Sequence, residues 1–407
     1  MIMNNLYTRT IADEIGKYLS TDDIIVLHGA RQVGKTSLLY ILEDRLKKTG
    51  ETTHYLDLED SRYVKLLNAG VGELVKHLRE EGLKPAGQRK KLYIFIDEVQ
   101  YLENPSSFLK LAADHHKGLK LIVSGSSSFA IKSKFRDSLV GRTVDFEIHN
   151  LSFQEFLSFK EYRFEPGKVF TQKKIDELRS QFKEYALYGG YPKIVLTPEL
   201  DKKERYLQQI IDTYVKKDIR DLANVKDLDK FNKLLEALSS QSGQLLNVAE
   251  LSNTVNIAKQ TVEKYLFILE NTYIIKLVRP FSGNLRSELF KTPKIFFYDT
   301  GLMQMLWLRS LPKELMGTVF ETSVFSELVK KYGKDAVYHW RTKDKKEIDF
   351  ILKNRKGTLP IEVKLRFEHF KQTSMTFFNA QYKGRAYKVV GLTGTPRDEH
   401  QGYPWDI

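Results

Sequence analysis

The chain contains no cysteine among its 407 residues. This absence excludes disulfides, thiolate metal sites and a cysteine nucleophile, and it is consistent with a reducing compartment. The sequence also lacks any apolar run near the ~20 residues that a membrane-spanning helix needs. Its beginning carries Asp13, Glu14 and Lys17 in a helical pattern instead of the apolar core of a signal peptide. We therefore predict a cytoplasmic protein without a membrane partner.

The chain is too long for one ordinary core and it is basic. At roughly 100–200 residues per domain, a chain of this length predicts two or three domains. Its content of 42% hydrophobic and 29% charged residues is typical of a folded globular protein. The net charge of +13 favours a polyanionic partner, nucleic acid before a membrane surface. The alternative is a lysine-rich protein whose charges are simply solvated.

Three segments differ in their secondary-structure pattern, and each predicts one domain: residues 1–150, 151–315 and 316–407. In the first, short apolar runs alternate with helical patterns, as in a parallel sheet with helices on both faces. The second is mainly helical and ends in a helix–turn–helix followed by two β-type runs, the outline of a winged helix. The third is a separate α/β unit. The predicted fold class is therefore α/β with a helical middle region.

The first segment contains five predicted strands and three predicted helices. The strands are Asp23–Leu27, His54–Leu58, Leu92–Ile96, Leu119–Val123 and Val144–Ile148. The helices are Thr36–Lys48, Asp60–Glu81 and Ser106–His116.

A glycine-rich motif connects the first predicted strand to the first predicted helix of this segment. Residues 29–36 match G-x-x-x-x-G-K-[ST] without departure. Backbone N–H groups of such a P-loop surround phosphates, the lysine reaches the β/γ oxygens and the hydroxyl ligates Mg²⁺. The alternative is a glycine-rich turn that only caps a helix. The predicted cofactors are ATP and Mg²⁺, and the predicted binding residues are Gly29, Ala30, Arg31, Gln32, Val33, Gly34, Lys35, Thr36 and Ser37.

A pair of carboxylates, Asp97 and Glu98, follows the apolar run Leu92–Ile96. A buried parallel strand is a continuous apolar run, and its carboxyl end faces the crevice where ligands bind. Asp97 is therefore predicted to hold the Mg²⁺ shell, and Glu98 to polarise the attacking water. An apolar run followed by an acid is weak evidence alone but strong beside a P-loop.

Further site residues are predicted from the strand arrangement. The strand around His54–Leu58 falls between the P-loop and Asp97, which suggests a strand inserted in the sheet, as in the branch of P-loop ATPases that includes AAA proteins. Ser124, at the end of the next apolar strand, is then a candidate sensor of the γ-phosphate, or only a serine in a β–α turn. Arg142 is the candidate transition-state arginine, in cis or across a subunit boundary. Arg136 competes with it, and either could be surface charge.

The winged-helix pattern places its recognition helix at Lys259–Glu270. Lys259, Gln260, Thr261 and Lys264 are predicted on its exposed face, where they suit phosphates and base edges. The following hairpin adds basic residues, namely Lys276, Arg279, Arg286, Lys291 and Lys294. We predict a nucleic-acid partner, DNA more than RNA. Winged helices in ATPases also serve as lids or protein docks, so a protein partner or a homo-oligomer stays open.

The third segment brings an acidic pattern to two adjacent predicted strands. Asp349 lies on the first, and Glu362 and Lys364 share one face of the second because side chains alternate along a strand. Glu321 lies on the preceding helix. The set resembles the D…E-x-K core of restriction-endonuclease-like domains, in which carboxylates hold Mg²⁺ and the lysine acts at a phosphate. The alternative is an exposed polar face opposite an apolar one.

Several short motifs continue along nearly the whole chain. They include Ser124-Gly125-Ser126-Ser127, Gly141-Arg142, Tyr188-Gly189-Gly190-Tyr191-Pro192, Tyr298-Asp299-Thr300-Gly301-Leu302 and Phe320-Glu321. With the P-loop and Asp97-Glu98, they resemble a prokaryotic family of AAA-type P-loop ATPases. That resemblance implies an ATPase domain, a winged helix and a restriction-endonuclease-like C-terminal domain of the DUF class. It implies no particular substrate.

We expect an enzyme, an ATPase that acts on or with nucleic acid and that carries a metal-dependent nuclease domain. One alternative is a nucleotide-dependent switch that controls a protein partner. The other is a DNA-binding regulator with slow ATPase activity and an inactive nuclease-like domain. From the sequence, we assign catalysis to Lys35, Glu98, Arg142 and Lys364. Metal binding is assigned to Thr36, Asp97, Glu321, Asp349 and Glu362.

Overall fold

The chain folds into two compact units, Met1–Asn150 and Leu151–Ile407. The computed structural model describes residues 7–84, 91–125, 139, 141–165, 167, 170–218, 225, 227–281, 292–342, 344–355, 357–382 and 386–407. Ser126, Ser127, Arg136, Arg286 and Lys291 lie outside the described residues. Among the residues that are described, no helix is both long and apolar enough to span a bilayer. The predicted domain boundary near 315 and the cytoplasmic location stay predictions.

The first unit contains a parallel sheet of five strands, as the sequence predicts. The strands are β1 (Ile24–Gly29), β2 (Thr52–Asp57), β3 (Leu92–Asp97), β4 (Leu119–Gly125) and β5 (Thr143–Ile148). Their order across the sheet is β2-β3-β4-β1-β5, and every neighbouring pair is parallel. All residues of β3 and β4 are buried, as expected for central strands that are covered on both faces. The strand between β1 and β3 is β4, while β2 lies at the edge.

Among the described residues of this unit, one α-helix precedes the strands and four connect them. They are α1 (Ile11–Gly16), α2 (Lys35–Lys48), α3 (Ser61–Asn68), α4 (Val71–Glu80) and α5 (Pro105–His115). The single helix predicted over residues 60–81 is two helices, because Gly70 has a φ of +110° and ends the helical path. Val71, Leu74, Val75 and Leu78 of α4 pack into the core beside the sheet.

The second unit begins with a helical region. Its helices are α6 (Phe153–Phe159), α7 (Gln172–Tyr188), α8 (Pro192–Val195), α9 (Leu200–Ile210), α10 (Leu228–Ser240), α11 (Val248–Val255) and α12 (Lys259–Asn271). A π-helical segment, Ile211–Asp218, continues from α9. An antiparallel pair of strands follows, β6 (Ile275–Val278) and β7 (Lys294–Phe297). The middle of the chain is therefore helical with one small sheet, in agreement with the sequence.

The rest of the second unit has a mixed sheet. Two helices, α13 (Thr300–Leu308) and α14 (Gly317–Tyr332), precede it, and α15 (Thr373–Tyr382) interrupts its strands. The strands are β8 (Val337–Arg341), β9 (Glu347–Asn354), β10 (Gly357–Arg366), β11 (Lys388–Thr393) and β12 (Gln401–Gly402). The sheet order is β12-β11-β10-β9-β8, with β8–β9 and β9–β10 antiparallel and the other two pairs parallel. The sequence predicts this separate α/β sheet but misses α15 and β12.

Candidate nucleotide site and C-terminal acidic cluster

The glycine-rich loop joins β1 to α2 at the carboxyl end of β1. Gly29 approaches the backbone of β5 so closely that a Cβ atom there would lie 2.1 Å from the carbonyl oxygen of Ile148. Gln32 and Gly34 adopt positive φ angles, 62° and 93°, conformations that turn the backbone sharply before the helix begins. Arg9 supports the loop from outside the motif, because its guanidinium donates to the carbonyl oxygen of Val33 at 2.8 Å.

Lys35, the first residue of α2, lies inside this loop. Its Nζ donates to the carbonyl oxygens of Ala30 and Gly29, at 2.7 and 3.1 Å. Only 6% of the residue is exposed. Burial lowers the pKa of Lys35 to about 8, although the charges of Glu98 and Asp97 oppose this shift. An ammonium group buried in this way gains from an anionic partner.

Asp97 ends β3 and is the centre of the site. Its Oδ2 accepts from the Thr36 hydroxyl at 2.7 Å and from the Tyr55 hydroxyl at 2.9 Å. Its Oδ1 accepts from the Ser124 hydroxyl and, at 3.1 Å, from the backbone N–H of Glu98. The carboxylate is 3% exposed. Thr36, Asp97 and Ser124 are thus in direct contact although they come from a helix and two different strands.

Glu98 follows in a left-handed conformation, with a φ of 56°, which is uncommon for a residue other than glycine. Its backbone N–H is shared between Asp97 and the Ser124 hydroxyl, which it reaches at 3.3 Å. Its side chain accepts a hydrogen bond from the Gln100 amide. The strained backbone holds the glutamate directly beside Asp97. Both residues lie at the carboxyl ends of the strands, where the P-loop also lies.

Two site residues differ from the sequence expectation. Ser124 is fully buried and its hydroxyl donates to Asp97, so its contact is with the carboxylate and the predicted phosphate-sensor role stays a prediction. Tyr55 was not predicted at all. It lies on β2, which pairs with β3, and no motif or spacing marks it.

Arg142 does not lie near the P-loop of its own unit. Its backbone carbonyl accepts from the N–H of Ile24, the first residue of β1, whereas the P-loop follows the last residue of that strand. These are the two opposite ends of the strand, about 17 Å apart for five strand residues at ~3.3 Å each. Its guanidinium pairs with Asp114, Nε to Oδ1 at 2.7 Å. The predicted role in cis is therefore contradicted by the position of the residue.

The helix predicted for recognition, α12, has one apolar and one polar side. Val262, Tyr265, Leu266, Ile268 and Leu269 are buried. Its exposed residues are Lys259, Gln260, Glu263, Lys264 and Phe267. Thr261 is half-buried.

In the second unit, the predicted acidic residues meet two lysines. Lys364 Nζ lies 2.6 Å from Glu362 Oε1 and 3.5 Å from Asp349 Oδ2, and the N–H of Val363 donates to Asp349 Oδ2 at 2.8 Å. This matches the predicted proximity of β9 and β10, which form an antiparallel pair.

The second lysine, Lys294 on β7, is missing from the predicted set. Its Nζ lies 2.5 Å from Glu347 Oε1 and 3.6 Å from Glu321 Oε1, and its side chain is 4% exposed. Burial, followed by the nearby charge of Asp349, raises the pKa of Glu321 to about 8, and the two lysines oppose this shift. Sequence reasoning placed Lys294 only among the basic residues of the hairpin. Its burial beside Glu321 and Glu347 depends on packing between distant segments, which composition does not show.

The three carboxylates expected to hold a metal do not form such a site here. In the part of the chain that the structure describes, no three side chains of His, Cys, Asp or Glu are arranged to hold one metal ion. The physical reason is that the carboxylates are paired with lysines: Glu321 lies beside Lys294, and Glu362 and Asp349 lie beside Lys364. A divalent cation at this cluster would have to displace the Lys364 ammonium from Glu362 and Asp349.

Comparison with known proteins gives three matches to family models along the chain. Residues 21–157 match the model described as "AAA domain". Residues 179–314 match "Domain of unknown function (DUF8612)", and residues 316–403 match "Domain of unknown function (DUF4143)". Together with the parallel sheet and the P-loop, the first match makes the first unit an AAA-type P-loop ATPase domain.

Whole-chain relatives are also found. A Haemophilus influenzae protein named "Uncharacterized protein" is 30% identical over 390 residues, which cover 93% of this chain and 90% of the relative. A protein of Methanocaldococcus jannaschii is 27% identical over 365 residues, covering 86% of this chain and 78% of the relative. A solved structure, the Walker-type ATPase of Pyrococcus abyssi, covers 74% of this chain and 95% of its own, with 14% identity and a TM-score of 0.48. The chain belongs to the family of the Haemophilus influenzae protein.

Proposed function

We propose that the protein is a Mg²⁺-dependent ATPase that acts on or with nucleic acid. One observation carries the ATPase assignment: Lys35, Thr36 and Asp97 lie together at the carboxyl ends of β1 and β3, with the Thr36 hydroxyl donating to Asp97 at 2.7 Å. Ligands of open α/β sheets bind at this edge of the strands. The match of residues 21–157 to an AAA domain model supports the same class.

The residues present fit ATP and Mg²⁺. The Lys35 ammonium is buried against two carbonyl oxygens, and phosphate oxygens would give it a stronger anionic partner. Thr36 supplies a hydroxyl oxygen, the ligand type that Mg²⁺ prefers, and Asp97, which accepts the Thr36 proton, adds negative charge beside it. When bound, the ion would neutralise charge that develops on the transferred phosphate.

Glu98 is assigned the role of general base. A carboxylate beside the phosphate site can accept a proton from the attacking water and orient it. Glu98 stands directly after Asp97, and its left-handed backbone keeps it there. The Gln100 amide contacts its side chain and would restrict the directions in which the carboxylate can point.

The nucleic-acid assignment rests on α12. Helices α10 to α12, followed by the β6–β7 pair, have the order of elements expected for a winged helix. Lys259 and Lys264 are exposed on α12. Within the described residues, no carboxylate forms a salt bridge with either lysine, so both ammonium groups can meet phosphates. The net charge of +13 points in the same direction.

Binding to duplex DNA is expected to be electrostatic. Affinity should fall steeply between roughly 50 and 200 mM salt, because each phosphate contact releases counterions. Replacing Lys264 by alanine should weaken binding and reduce the slope of log Kd against log salt by about 1. Fluorescence anisotropy of a labelled duplex, measured over a salt series, gives both quantities.

The matched control is Lys76→Ala, which removes the same charge from an exposed lysine of α4, 66% exposed at its side chain. It should leave the slope unchanged. ATPase rates measured with and without DNA separate the proposals further, since stimulation favours an enzyme that acts on nucleic acid. Salt-independent affinity, or no binding at low salt, would favour the switch that controls a protein partner.

A nuclease is the second candidate function, favoured by one observation. Asp349, Glu362 and Lys364 converge at β9 and β10, as the D…E-x-K pattern requires. Asp349→Asn and Lys364→Ala should each abolish cutting of DNA in Mn²⁺ and leave ATPase activity unchanged, because the ATP site lies in the other unit. Gel assays with single-stranded, duplex and branched DNA check this. If the unaltered protein cuts none of them, with or without ATP, the domain is not a nuclease.

A further inference from the structure

The Asp97 carboxylate has its acceptor positions filled. Two oxygens offer about four lone-pair sites, and Asp97 accepts from Thr36, Tyr55, Ser124 and the Glu98 N–H. Two donors meet at each oxygen. The orientation of the carboxylate is therefore fixed from every side by the protein itself.

Tyr55 is the donor that the P-loop motifs do not contain. It lies on the edge strand β2, and its ring stacks on that of Tyr40, with centroids 4.8 Å apart and planes inclined by 23°. Tyr40 belongs to α2, four residues after Thr36, and so lies on the same side of that helix. Tyr55 thus connects the helix that follows the P-loop to the carboxylate at the end of β3.

The two hydroxyls at Oδ2 divide its lone pairs between them. A hydroxyl has one proton and two lone pairs, so Thr36, by donating to Asp97, keeps both lone pairs for a ligand. Tyr55 occupies one of the two lone-pair positions of Asp97 Oδ2, at 2.9 Å. The Thr36 proton can therefore occupy only the other. An ionised carboxylate can only accept, so the Tyr55 hydroxyl is the donor of this hydrogen bond.

We propose that Tyr55 is a positioning residue for the magnesium–nucleotide site: by holding Asp97, it fixes the direction in which the Thr36 oxygen presents its lone pairs. This inference rests on the proposed ATPase function. It also gives the edge strand β2 a part in the site, since β2 brings Tyr55 beside β3 by parallel pairing in which Tyr55 faces Phe95 and Asp57 faces Asp97.

The test is Tyr55→Phe, which removes the hydroxyl and keeps the ring on Tyr40. Binding of a fluorescent N-methylanthraniloyl ATP is titrated with Mg²⁺ and, separately, measured in EDTA. The Mg²⁺ concentration at half-maximal effect should rise by at least about fivefold, since groups that orient metal ligands typically change metal affinity by 10–100-fold. Affinity in EDTA should stay within about twofold. Tyr93→Phe is the matched control, because Tyr93 is a buried tyrosine of β3, 7% exposed, at the other end of the strand.

Three results would overturn the inference. They are an unchanged or lower Mg²⁺ requirement in Tyr55→Phe, an equal loss of affinity with and without Mg²⁺, and the same shift in Tyr93→Phe. A normal Mg²⁺ response of Tyr55→Phe, in a protein that still binds and hydrolyses ATP, removes only the role of Tyr55. An unaltered protein that binds no nucleotide in either condition removes both this role and the ATPase assignment.

Discussion

Replacing Glu98 by glutamine is expected to lower ATP turnover by about 10²–10⁴-fold while ATP binding is kept. The amide has nearly the same shape as the carboxylate but cannot accept a proton from water. The backbone N–H of residue 98, which bonds Asp97 and Ser124, is unchanged by the substitution. Steady-state phosphate release and equilibrium binding of ATP, both in Mg²⁺, give the two quantities.

Lys35→Ala is the contrasting variant, and it should lose nucleotide binding itself because its buried ammonium is the charge that the phosphates would contact inside the loop. Glu103→Gln is the control for the change of carboxylate to amide, since Glu103 is exposed and lies five residues from Glu98. It should turn over normally. Normal turnover in Glu98→Gln would show that another group orients the water, and binding retained in Lys35→Ala would remove the P-loop assignment.

Most residues of the candidate nucleotide site could be assigned from the sequence because its two motifs are local. A P-loop has its glycines and lysine within eight residues. A central strand is predicted by an apolar run that is followed by an acidic residue. Both signals depend on neighbours in sequence, so Thr36 and Asp97 were assigned to one site, and the structure brings them together. Tyr55 could not be found in this way, because its contact with Asp97 arises from the pairing of β2 with β3.

Arg142 shows the opposite error. It follows the strand that carries Ser124 in sequence, which suggested that it lies near the phosphates. However, it stands just before β5 begins, and parallel strands all begin at the edge opposite the ligand crevice. Its hydrogen bond to Ile24 fixes it there. Position in the sequence was informative only when combined with strand direction.

For the C-terminal cluster, the sequence predicted the carboxylates Glu321, Asp349 and Glu362 but did not predict the lysine Lys294. Glu362 and Lys364 alternate with buried residues along β10, which periodicity shows directly. Lys294 lies more than fifty residues before Asp349, on a strand of the small sheet. No local pattern distinguishes a lysine that will be buried among carboxylates from one that will be solvated, because long-range packing decides it.

Lys294→Met is expected to destabilise the second unit by about 2–4 kcal/mol. Removing one partner of a buried ion pair typically costs about 3–5 kcal/mol, because the remaining charge is left uncompensated. The lower range applies here because the side chain of Glu347 is 30% exposed and also pairs with Arg341 at 3.4 Å. Urea unfolding followed by tryptophan fluorescence measures it, since Trp307, Trp340 and Trp405 all belong to the second unit.

Lys276→Met is the matched control for the same hairpin. Lys276 on β6 pairs with Glu270 at 2.8 Å, but its side chain is 16% exposed against 4% for Lys294, so its loss should cost less than the loss of Lys294. Combining Lys294→Met with Glu347→Gln should recover part of the lost stability, because the unpaired Glu347 carboxylate is then replaced by a neutral amide. The difference between the double variant and the sum of the two single variants gives the coupling free energy between the side chains. Equal losses in Lys294→Met and Lys276→Met would mean that burial does not strengthen the Lys294 pair. An additive double variant would mean that Glu347 is not the partner whose charge Lys294 compensates.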